Sequence, residues 1–335
     1  MTTDSLTDSL TTGSLTAGSL MTSSKTAKSF VANSSKNNAG VENVETKKTS
    51  QGNGQKQQWW PSPAKLNIFL HILGRFDNGY HQLQSLFQML DYGDELAFDI
   101  TDDEKITMAT PLEGVPDEDN LIIRAAKLLA DKTQTMHGVS ISLNKRLPMG
   151  GGIGGGSSNA ATTLVALNQL WKTELNEDEL AHLGLTLGAD VPIFVRGKTA
   201  FAGGIGEDIT PASQEEKWYL VANPNVHVST GAVFTHPDLP RNTPPIQWKD
   251  YKFEETRNDC QQLVANCHPE VANLLQWLLH YAPSRMTGTG ACVFATFSDK
   301  TSAEHVLAKL PNAWQGFVAK GVNSSPLLNK LEQYK

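Results

Sequence analysis

The chain has 335 residues and a formal net charge of −7 at pH 7, because 35 acidic residues outnumber 28 basic ones. This balance argues against a protein whose main role is to bind nucleic acid or an anionic membrane surface, since both need clustered Lys and Arg. No continuous apolar run of about 18 residues is present, so the sequence predicts no transmembrane helix. The three cysteines have no paired spacing, which favours a reducing cytoplasm over a disulfide-bonded secreted protein.

The first 58 residues differ in composition from the rest of the chain. Twenty of them are Ser or Thr, Phe30 is their only aromatic residue, and all seven Trp lie further along. Such a segment cannot bury enough apolar surface to offset the entropy of ordering, so we predict that residues 1–58 are disordered. A targeting peptide is the alternative, but the segment lacks a continuous apolar core and Arg, and it contains Asp4 and Asp8. We therefore expect a disordered extension on a two-domain cytoplasmic protein.

The first strand is predicted shortly after the start of the body of the chain. Apolar residues alternate with other residues from Leu66 to Ile72, which is typical of a β-strand. The opposite face of this strand begins with Lys65 and Asn67. Two polar side chains on a strand next to an apolar face are candidates for a site.

Helix and strand patterns alternate further along the chain. A turn at Asn78-Gly79 is followed by an apolar segment over Leu83–Asp94. Asn120 then opens a helical pattern, and residues 139–144 alternate again as a strand. Interleaved helices and strands indicate an α/β or α+β body.

The most informative segment is the glycine-rich run Pro148–Ala161, which reads Pro-Met-Gly-Gly-Gly-Ile-Gly-Gly-Gly-Ser-Ser-Asn-Ala-Ala. A strand pattern precedes it, and apolar residues at helical spacing follow it as far as Trp171. Glycine allows positive φ angles and close approach to an anion, and a helix N-terminus attracts negative charge. We therefore predict a phosphate-binding turn rather than a linker. Ser157 and Ser158 would cap the helix or bind the phosphates or their metal ion.

Two common phosphate-binding motifs fit this run poorly. A P-loop has Lys directly after its final glycine, whereas Ser157 follows Gly156 here. Gly150, Gly152 and Gly155 match the dinucleotide fingerprint, but that motif also requires an acidic residue at the end of a second strand about 20 residues further on. The chain at that distance has a helical pattern, so dinucleotide binding is less well supported.

Asp190 and Lys65 are the candidate catalytic residues. Asp190 lies between Gly188 and Pro192, just before the apolar run Val191–Val195, which we interpret as strand-like. The carboxylate either ends a helix or acts as the general base that accepts a proton from a substrate hydroxyl during phosphoryl transfer. A nearby cation would favour the ionised carboxylate and offset the charge of the transferred phosphate, and Lys65 is the candidate for that cation.

A second glycine run, Met286–Phe294, also leads into a strand-like segment. Alone it would more often be a tight turn, but two phosphate-compatible turns in different halves of the chain indicate a site at a domain interface. Zinc binding by Cys260, Cys267 and His268 is an alternative of another kind. Because this spacing matches no standard zinc finger and no fourth ligand is evident, we interpret the cysteines as packing residues.

The glycine-rich runs resemble two motifs of the GHMP small-molecule kinases, the first of which binds ATP. Within that family, five segments are similar to the branch whose substrate is 4-diphosphocytidyl-2-C-methyl-D-erythritol: Pro63–Leu70, Asp77–His81, Leu86–Asp94, Leu187–Pro192 and Thr287–Cys292. The resemblance covers residues 59–335 and not the first 58. It implies an α+β, two-domain GHMP kinase fold. The N-terminal ATP-binding domain (59–212) would be like ribosomal protein S5 domain 2 and the C-terminal domain (213–335) ferredoxin-like.

The resemblance also implies the reaction. ATP would phosphorylate the 2-hydroxyl of the substrate with the help of Mg²⁺, giving the 2-phosphate and ADP in the non-mevalonate pathway of isoprenoid synthesis. Asp190 would accept the hydroxyl proton, and Lys65 would keep Asp190 charged and near the γ-phosphate. No side chain is assigned as a metal ligand. The enzyme is expected to be a monomer or a homodimer.

Site residues follow from the same resemblance. Those that match the ATP site are Asn120, Leu121, Lys145, Pro148, Met149, Gly150, Gly151, Gly152, Ile153, Gly154, Gly155, Gly156, Ser157 and Ser158. Those that match the substrate site are Asn67, Tyr80, His81, Phe87, Thr230 and Phe234. A cytosine would stack between Tyr80 and Phe234 while His81 reads its edge. By pattern alone, Phe87 and Leu121 would be core residues, and residues 238–257 are assigned no role.

Two alternatives remain open at this point. One is a homoserine or mevalonate kinase of the same family, which the segment Gly79-Tyr80-His81 argues against, because those substrates have no base to stack. The other is a non-catalytic nucleotide-binding or RNA-binding module. The negative body of the chain (−9, since residues 1–58 carry +2 of the total −7) and the presence of both Lys65 and Asp190 disfavour it.

Overall fold

The computed structural model describes residues 57–77, 79–206 and 208–334. The predicted disorder of residues 1–58 therefore falls almost entirely outside the described residues. Within the described ranges, no helix has the length and apolar character needed to cross a membrane.

The described residues form ten β-strands and nine α-helices, in agreement with the predicted α+β class. The strands are β1 (Trp59–Arg75), β2 (His81–Thr101), β3 (Ile106–Met108), β4 (Gly138–Asn144), β5 (Ala200–Gly203), β6 (Asp208–Pro211), β7 (Trp218–Asn223), β8 (Ser284–Met286), β9 (Val293–Phe297) and β10 (Gln315–Val322). The helices are α1 (Leu121–Thr133), α2 (Gly155–Leu170), α3 (Glu177–Leu187), α4 (Val191–Arg196), α5 (Thr230–Thr235), α6 (Gln261–Cys267), α7 (Pro269–Leu279), α8 (Lys300–Leu307) and α9 (Pro326–Glu332).

The two longest strands, β1 and β2, form an antiparallel hairpin along almost the whole of β1. The strand predicted over Leu66–Ile72 is confirmed as the middle of β1. Its side chains are buried on both faces, because they enter different core clusters. Trp60 belongs to the cluster that contains the side chains of α2 and α4, whereas Leu66 belongs to the cluster that contains Phe294 of β9. This burial places Lys65 and Asn67 deep in the molecule.

One continuous sheet joins the N-terminal and C-terminal parts of the described chain. Its strand order is β3-β4-β2-β10-β7-β9-β8, while β1 and β5 also pair with β2 and β6 pairs with β5. The linking strand is β10, which is antiparallel to β7 and also pairs Gly321 with Leu90 and Val322 with Met89 of β2. The two parts are therefore connected through the sheet as well as through the loop after β6.

One local prediction is wrong. The apolar run Val191–Val195 forms helix α4 and not a strand. Pro192 lies in the first turn of this helix, where the missing N–H is tolerated. All five residues of the run are buried. Burial on every side explains an apolar composition that does not show the periodicity of an amphipathic helix.

Candidate active site

A cleft of about 980 Å³ brings the two glycine runs together with both candidate catalytic residues. Its volume is at the upper end of the usual range for small-molecule sites, which suits two ligands. Nearly all the site residues predicted from the sequence line it: Lys65, Asn67, Tyr80, His81, Phe87, Asn120, Leu121, Lys145, Pro148, Met149, Gly150, Gly151, Gly152, Ile153, Gly154, Gly155, Gly156, Ser157, Asp190, Thr230 and Phe234.

The glycine-rich run forms the loop that leads into α2. Gly150, Gly152 and Gly154 have φ angles of 68°, 74° and 77°, which glycine adopts without a Cβ clash. Gly154 is the N-cap of α2, and no side chain of the described residues caps that helix. The N–H groups of its first turn are therefore left for a bound anion, and the helix dipole favours one there.

The two serines after the glycine run have different environments. Ser157 lines the cleft. Ser158 is fully buried, and its hydroxyl accepts a hydrogen bond of 2.9 Å from Ser62 Oγ. Neither serine caps α2, so of the two roles given for them from the sequence only ligand binding remains. Ser158, unlike Ser157, is not among the residues of the described chain that line the cleft.

Lys65 and Asp190 meet in the cleft. The Lys65 ammonium nitrogen lies 3.2 Å from Asp190 Oδ2, and the side chains are 4% and 38% exposed, respectively. Lys65 also lies 5.2 Å from the centroid of the Phe87 ring. The sequence could not show that these residues are adjacent, because Lys65 comes from β1 whereas Asp190 precedes α4. The buried cation is thus paired with a carboxylate that remains accessible to a substrate.

Asn67 holds the Lys65 side chain in place. Its Oδ1 accepts a hydrogen bond of 2.5 Å from Lys65 Nζ, and its Nδ2 donates to Ser85 Oγ at 2.8 Å. The Ser85 hydroxyl in turn donates to the carbonyl of Phe69. The backbone N–H of Asn67 donates to Thr287 Oγ1 at 2.9 Å, which ties β1 to the second glycine run. The Lys65–Asp190 ion pair is therefore supported from two strands and from the C-terminal part of the chain.

Asp94 was not predicted as a site residue, but it positions Lys145. Asp94 is fully buried, and it accepts hydrogen bonds from Lys145 Nζ (2.8 Å) and from the backbone N–H groups of Arg146 and Leu147. Asn159 Nδ2 donates to the same carboxylate at 3.1 Å. A buried acid needs several donors of this kind. This network holds the Lys145 ammonium beside the glycine-rich run.

The two polar atoms of the Asn120 side chain differ in their hydrogen bonding. Its Oδ1 accepts a hydrogen bond from Ile122 N and caps α1, the helix that the sequence predicts to begin here. Its Nδ2 is buried and has no hydrogen-bond partner among the described residues. A buried donor that lines a cleft is a candidate for binding a ligand acceptor.

The aromatic part of the cleft contains a stacked pair of rings. His81 stacks on Phe234, with ring centroids 5.1 Å apart and planes inclined by 30°, whereas Tyr80 is 62% exposed. Thr230 Oγ1 lies 2.9 Å from Thr289 Oγ1 at the neighbouring wall. The pKa of His81 is lowered by burial and by the positive charges of Arg241 and Arg75.

Arg241 was not predicted from the sequence, but it binds a residue that lines the cleft. Its Nε donates a hydrogen bond of 3.0 Å to His81 Nε2. Arg241 lies in the segment 238–257, to which the sequence pattern assigned no role. No local pattern marks Arg241, because its partner His81 lies 160 residues earlier in the chain.

Metal-binding clusters are absent from the described part of the chain, where no group of three His, Cys, Asp or Glu side chains is arranged to hold an ion. Cys260 is buried and Cys267 is exposed, at opposite ends of α6. These two cysteines therefore do not form the converging pair that the zinc alternative needs.

Comparison with known proteins identifies the family. Residues 120–198 match the GHMP kinases N terminal domain, and residues 247–316 match the GHMP kinases C terminal domain. A 4-diphosphocytidyl-2-C-methyl-D-erythritol kinase of Pseudoalteromonas atlantica is 64% identical over 277 residues, which cover 83% of this chain and 97% of the relative. The chain belongs to the 4-diphosphocytidyl-2-C-methyl-D-erythritol kinases, a branch of the GHMP kinase family.

Two further comparisons support this GHMP kinase assignment. The kinase of the same name from Hahella chejuensis is 55% identical over 287 residues, covering 82% of this chain and 96% of the relative. A solved 4-(cytidine 5'-diphospho)-2C-methyl-D-erythritol kinase matches with a TM-score of 0.70 at 28% identity, and the match covers 79% of this chain and 100% of that one. The predicted two-domain GHMP kinase fold is confirmed. As a GHMP kinase, the chain uses ATP and acts on a small molecule.

Proposed function

We propose that this GHMP kinase transfers the γ-phosphoryl group of ATP to the 2-hydroxyl of 4-diphosphocytidyl-2-C-methyl-D-erythritol in the non-mevalonate pathway of isoprenoid precursor synthesis. The observation that carries the proposal is the Lys65–Asp190 pair, in a cleft that also contains a phosphate-compatible turn and an aromatic wall. The names of relatives at 64% and 55% identity support the choice of substrate.

The proposed reaction is a direct in-line transfer. The 2-hydroxyl oxygen attacks the γ-phosphorus, the bond from that phosphorus to the β–γ bridging oxygen breaks, and ADP leaves. Asp190 accepts the hydroxyl proton, and Lys65 offsets negative charge on the carboxylate and on the transferred group. Since phosphoryl transfer depends mainly on positioning and electrostatics, the hydrogen bond that fixes Lys65 on Asn67 contributes to the rate.

The ATP phosphates would bind to the glycine-rich turn. The free N–H groups at the start of α2 and the hydroxyl of Ser157 supply the donors there. Lys145 would add a positive charge at the edge of the turn, where its Nζ lies 3.7 Å from the place of a Cβ on Gly155. The unpartnered Nδ2 of Asn120 would donate to the nucleoside.

Mg²⁺ is part of the proposal. This ion is usually held by one or two protein oxygens together with nucleotide phosphates and water, so it does not need a three-residue cluster. Ser157 lines the cleft and offers a hard hydroxyl oxygen of the kind that Mg²⁺ prefers. When bound, the ion neutralises charge on the phosphates.

The substrate would occupy the other end of the cleft. Its cytosine would lie against Tyr80, His81 and Phe234, and its polyol would lie near Asn67, Phe87 and Thr230, all of which line the cleft. The base accounts for an aromatic wall that a homoserine or mevalonate kinase does not need.

The remaining expectations form part of the same proposal. We place the domain boundary between residues 212 and 213, in the loop between β6 and β7. A cytoplasmic enzyme is supported by cysteines that are unpaired in the described chain. A monomer or a homodimer with no nucleic-acid or membrane partner completes the proposal.

The deciding experiment measures ATP consumption with three alcohols. We expect turnover with 4-diphosphocytidyl-2-C-methyl-D-erythritol and none with homoserine or mevalonate. Activity on homoserine or mevalonate, without activity on the cytidine diphosphate polyol, would overturn the proposal. RNA binding with a steep salt dependence and no ATP consumption would instead support the non-catalytic alternative.

A further inference from the structure

The guanidinium group of Arg241 connects the two sides of the aromatic wall. Its Nε donates to His81 Nε2 at 3.0 Å, and His81 begins β2. Its other donors bind carbonyl oxygens of the loop around α5, namely those of Phe234 (3.0 Å), His236 (2.8 Å), Pro237 (3.4 Å) and Leu239 (2.9 Å). One side chain thus binds the ring of His81 and the backbone of Phe234.

The bond between Arg241 and His81 determines where His81 carries its proton. A guanidinium group has only donors and does not lose its protons in proteins, so the His81 Nε2 that it binds must present a lone pair. The ring is then neutral, and its hydrogen is on Nδ1. Burial together with the charges of Arg241 and Arg75 lowers the pKa of His81, which favours the same neutral form.

The protonated Nδ1 is available to a ligand. His81 lines the cleft, and within the described ranges its Nδ1 makes no hydrogen bond. The imidazole plane is inclined by only 30° to the Phe234 ring. A flat base that meets Nδ1 edge-on therefore also lies close to parallel with Phe234, so one orientation provides both the hydrogen bond and the stacking.

We infer that Arg241 is a positioning residue that fixes the Nδ1–H tautomer of His81 and thereby makes the site prefer cytosine over uracil. Ring atom N3 of cytosine is an acceptor, whereas N3 of uracil carries a hydrogen. An N–H donor at His81 Nδ1 can bind the N3 acceptor of cytosine. It would face the N3–H of uracil donor to donor, and two buried donors without an acceptor are costly. The inference rests on the proposed function, because it requires a cytidine nucleotide as part of the substrate.

The kinetic test compares wild type with Arg241→Met, using the cytidine substrate and its uridine analogue. Arg124→Met, at an exposed position of α1, is the matched control. In Arg241→Met we expect KM for the cytidine substrate to rise about tenfold, while kcat and KM for ATP stay within about twofold, since one hydrogen bond is lost. The ratio of cytidine to uridine kcat/KM should fall by about tenfold. An unchanged ratio would overturn the inference.

A second readout does not depend on turnover. The ¹⁵N chemical shifts of the His81 ring in the full chain distinguish protonated from unprotonated nitrogens. Wild type should show hydrogen on Nδ1 only, and Arg241→Met should show both tautomers. Hydrogen on Nε2 in wild type would refute the inference, even if the variant proved too unstable for kinetics.

The two proposals can fail separately. If wild type does not phosphorylate the cytidine substrate, the proposed function is wrong and the preference for cytosine falls with it. If wild type does phosphorylate it, but Arg241→Met keeps the cytidine to uridine ratio, only the role of Arg241 is wrong. If Arg241 only holds the loop around α5 in place, Arg241→Met will have a lower melting temperature. The cytidine to uridine ratio and the His81 tautomer will then remain as they are in wild type.

Discussion

Lys65 and Asp190 form an ion pair of 3.2 Å in which the lysine is almost completely buried and the aspartate is partly exposed. The second side-chain partner of the lysine is the neutral oxygen of Asn67. No second carboxylate pairs with Lys65 among the ion pairs of the described residues, so its charge remains available to Asp190 and to a phosphate in the cleft.

Replacing Asp190 with Asn should remove the proposed general base and leave the ligands bound. We expect kcat to fall about 100-fold or more, because general bases typically contribute factors of that size. The affinities for an ATP analogue and for the substrate, measured by calorimetry, should change little. Asp131→Asn, on the exposed surface of α1, is the matched control. Near-normal kcat in Asp190→Asn would show that another group takes the proton.

Tyr80→Ala tests the stacking of the base. Because a base stacked on an aromatic side chain gains about 1–3 kcal/mol, KM for the substrate should rise about 10-fold or more, while KM for ATP stays the same. Tyr80 is 62% exposed, so the melting temperature should be nearly unchanged. Tyr281→Ala, at another exposed tyrosine outside the cleft, should leave both KM values unaltered. Equal effects on ATP and substrate would argue against a base-specific role.

Gly152→Ala and Gly114→Ala separate two costs of adding a Cβ. Their φ angles, +74° and +76°, are almost equal, so both variants should lose about 1–2 kcal/mol to backbone strain. A Cβ at 152 would also lie 2.5 Å from the Thr287 carbonyl oxygen, whereas one at 114 meets nothing within 4 Å. Only Gly152→Ala should therefore weaken binding of an ATP analogue, by about tenfold or more. Identical melting and binding data for the pair would contradict this.

Replacing each of the two serines after the glycine run with Ala should have different effects on ATP kinetics and on stability. Ser157→Ala should raise KM for ATP, because its hydroxyl is at the cleft. Ser158→Ala should cost about 1 kcal/mol of unfolding free energy, because its buried hydrogen bond with Ser62 is lost, and should leave KM for ATP near the wild-type value. Denaturant unfolding and ATP kinetics on both variants check this, and a larger ATP effect in Ser158→Ala would reverse the assignment.

The reactivity of each cysteine thiol should reflect how deeply that cysteine is buried. Burial raises the pKa of Cys260 and of Cys292 to about 12, because it disfavours the thiolate. These two cysteines therefore stay protonated and unreactive at pH 8, whereas Cys267 is exposed. A disulfide reagent should titrate one thiol in the native protein, three after unfolding, and none in native Cys267→Ser. Fast reaction of a second native thiol would show that one of the buried sites opens.

Patterns of short range were the most predictable part of the fold. The strand in the middle of β1, the helix that starts after Asn120 and the turn before α2 follow from short patterns in the sequence, and the structure has all three. Helix α4 was mistaken for a strand, because a run buried on every side has no period that distinguishes the two. Only the packing around α4 decides which element forms.

The site residues also differ in how well the sequence predicted them. Lys65 and Asp190 were candidates from their places in the sequence and from the family resemblance, yet their 3.2 Å contact depends on how β1 and α4 pack. Asp94 and Arg241 were missed because they act on other side chains, and the match of the segment Leu86–Asp94 does not show that Asp94 binds Lys145. Their positions are set by long-range hydrogen bonds, which a pattern along the chain does not encode.

The pairing of β10 with both β2 and β7 limits the motions by which the enzyme can engage its ligands. A hinge that swung the two glycine runs apart would have to break ladder bonds in the middle of the sheet. The hydrogen bond from Asn67 to Thr287 would be lost in the same movement. We therefore expect substrate entry and product release to depend on side chains and loops at the rim of the cleft, while the two glycine runs keep their positions relative to each other.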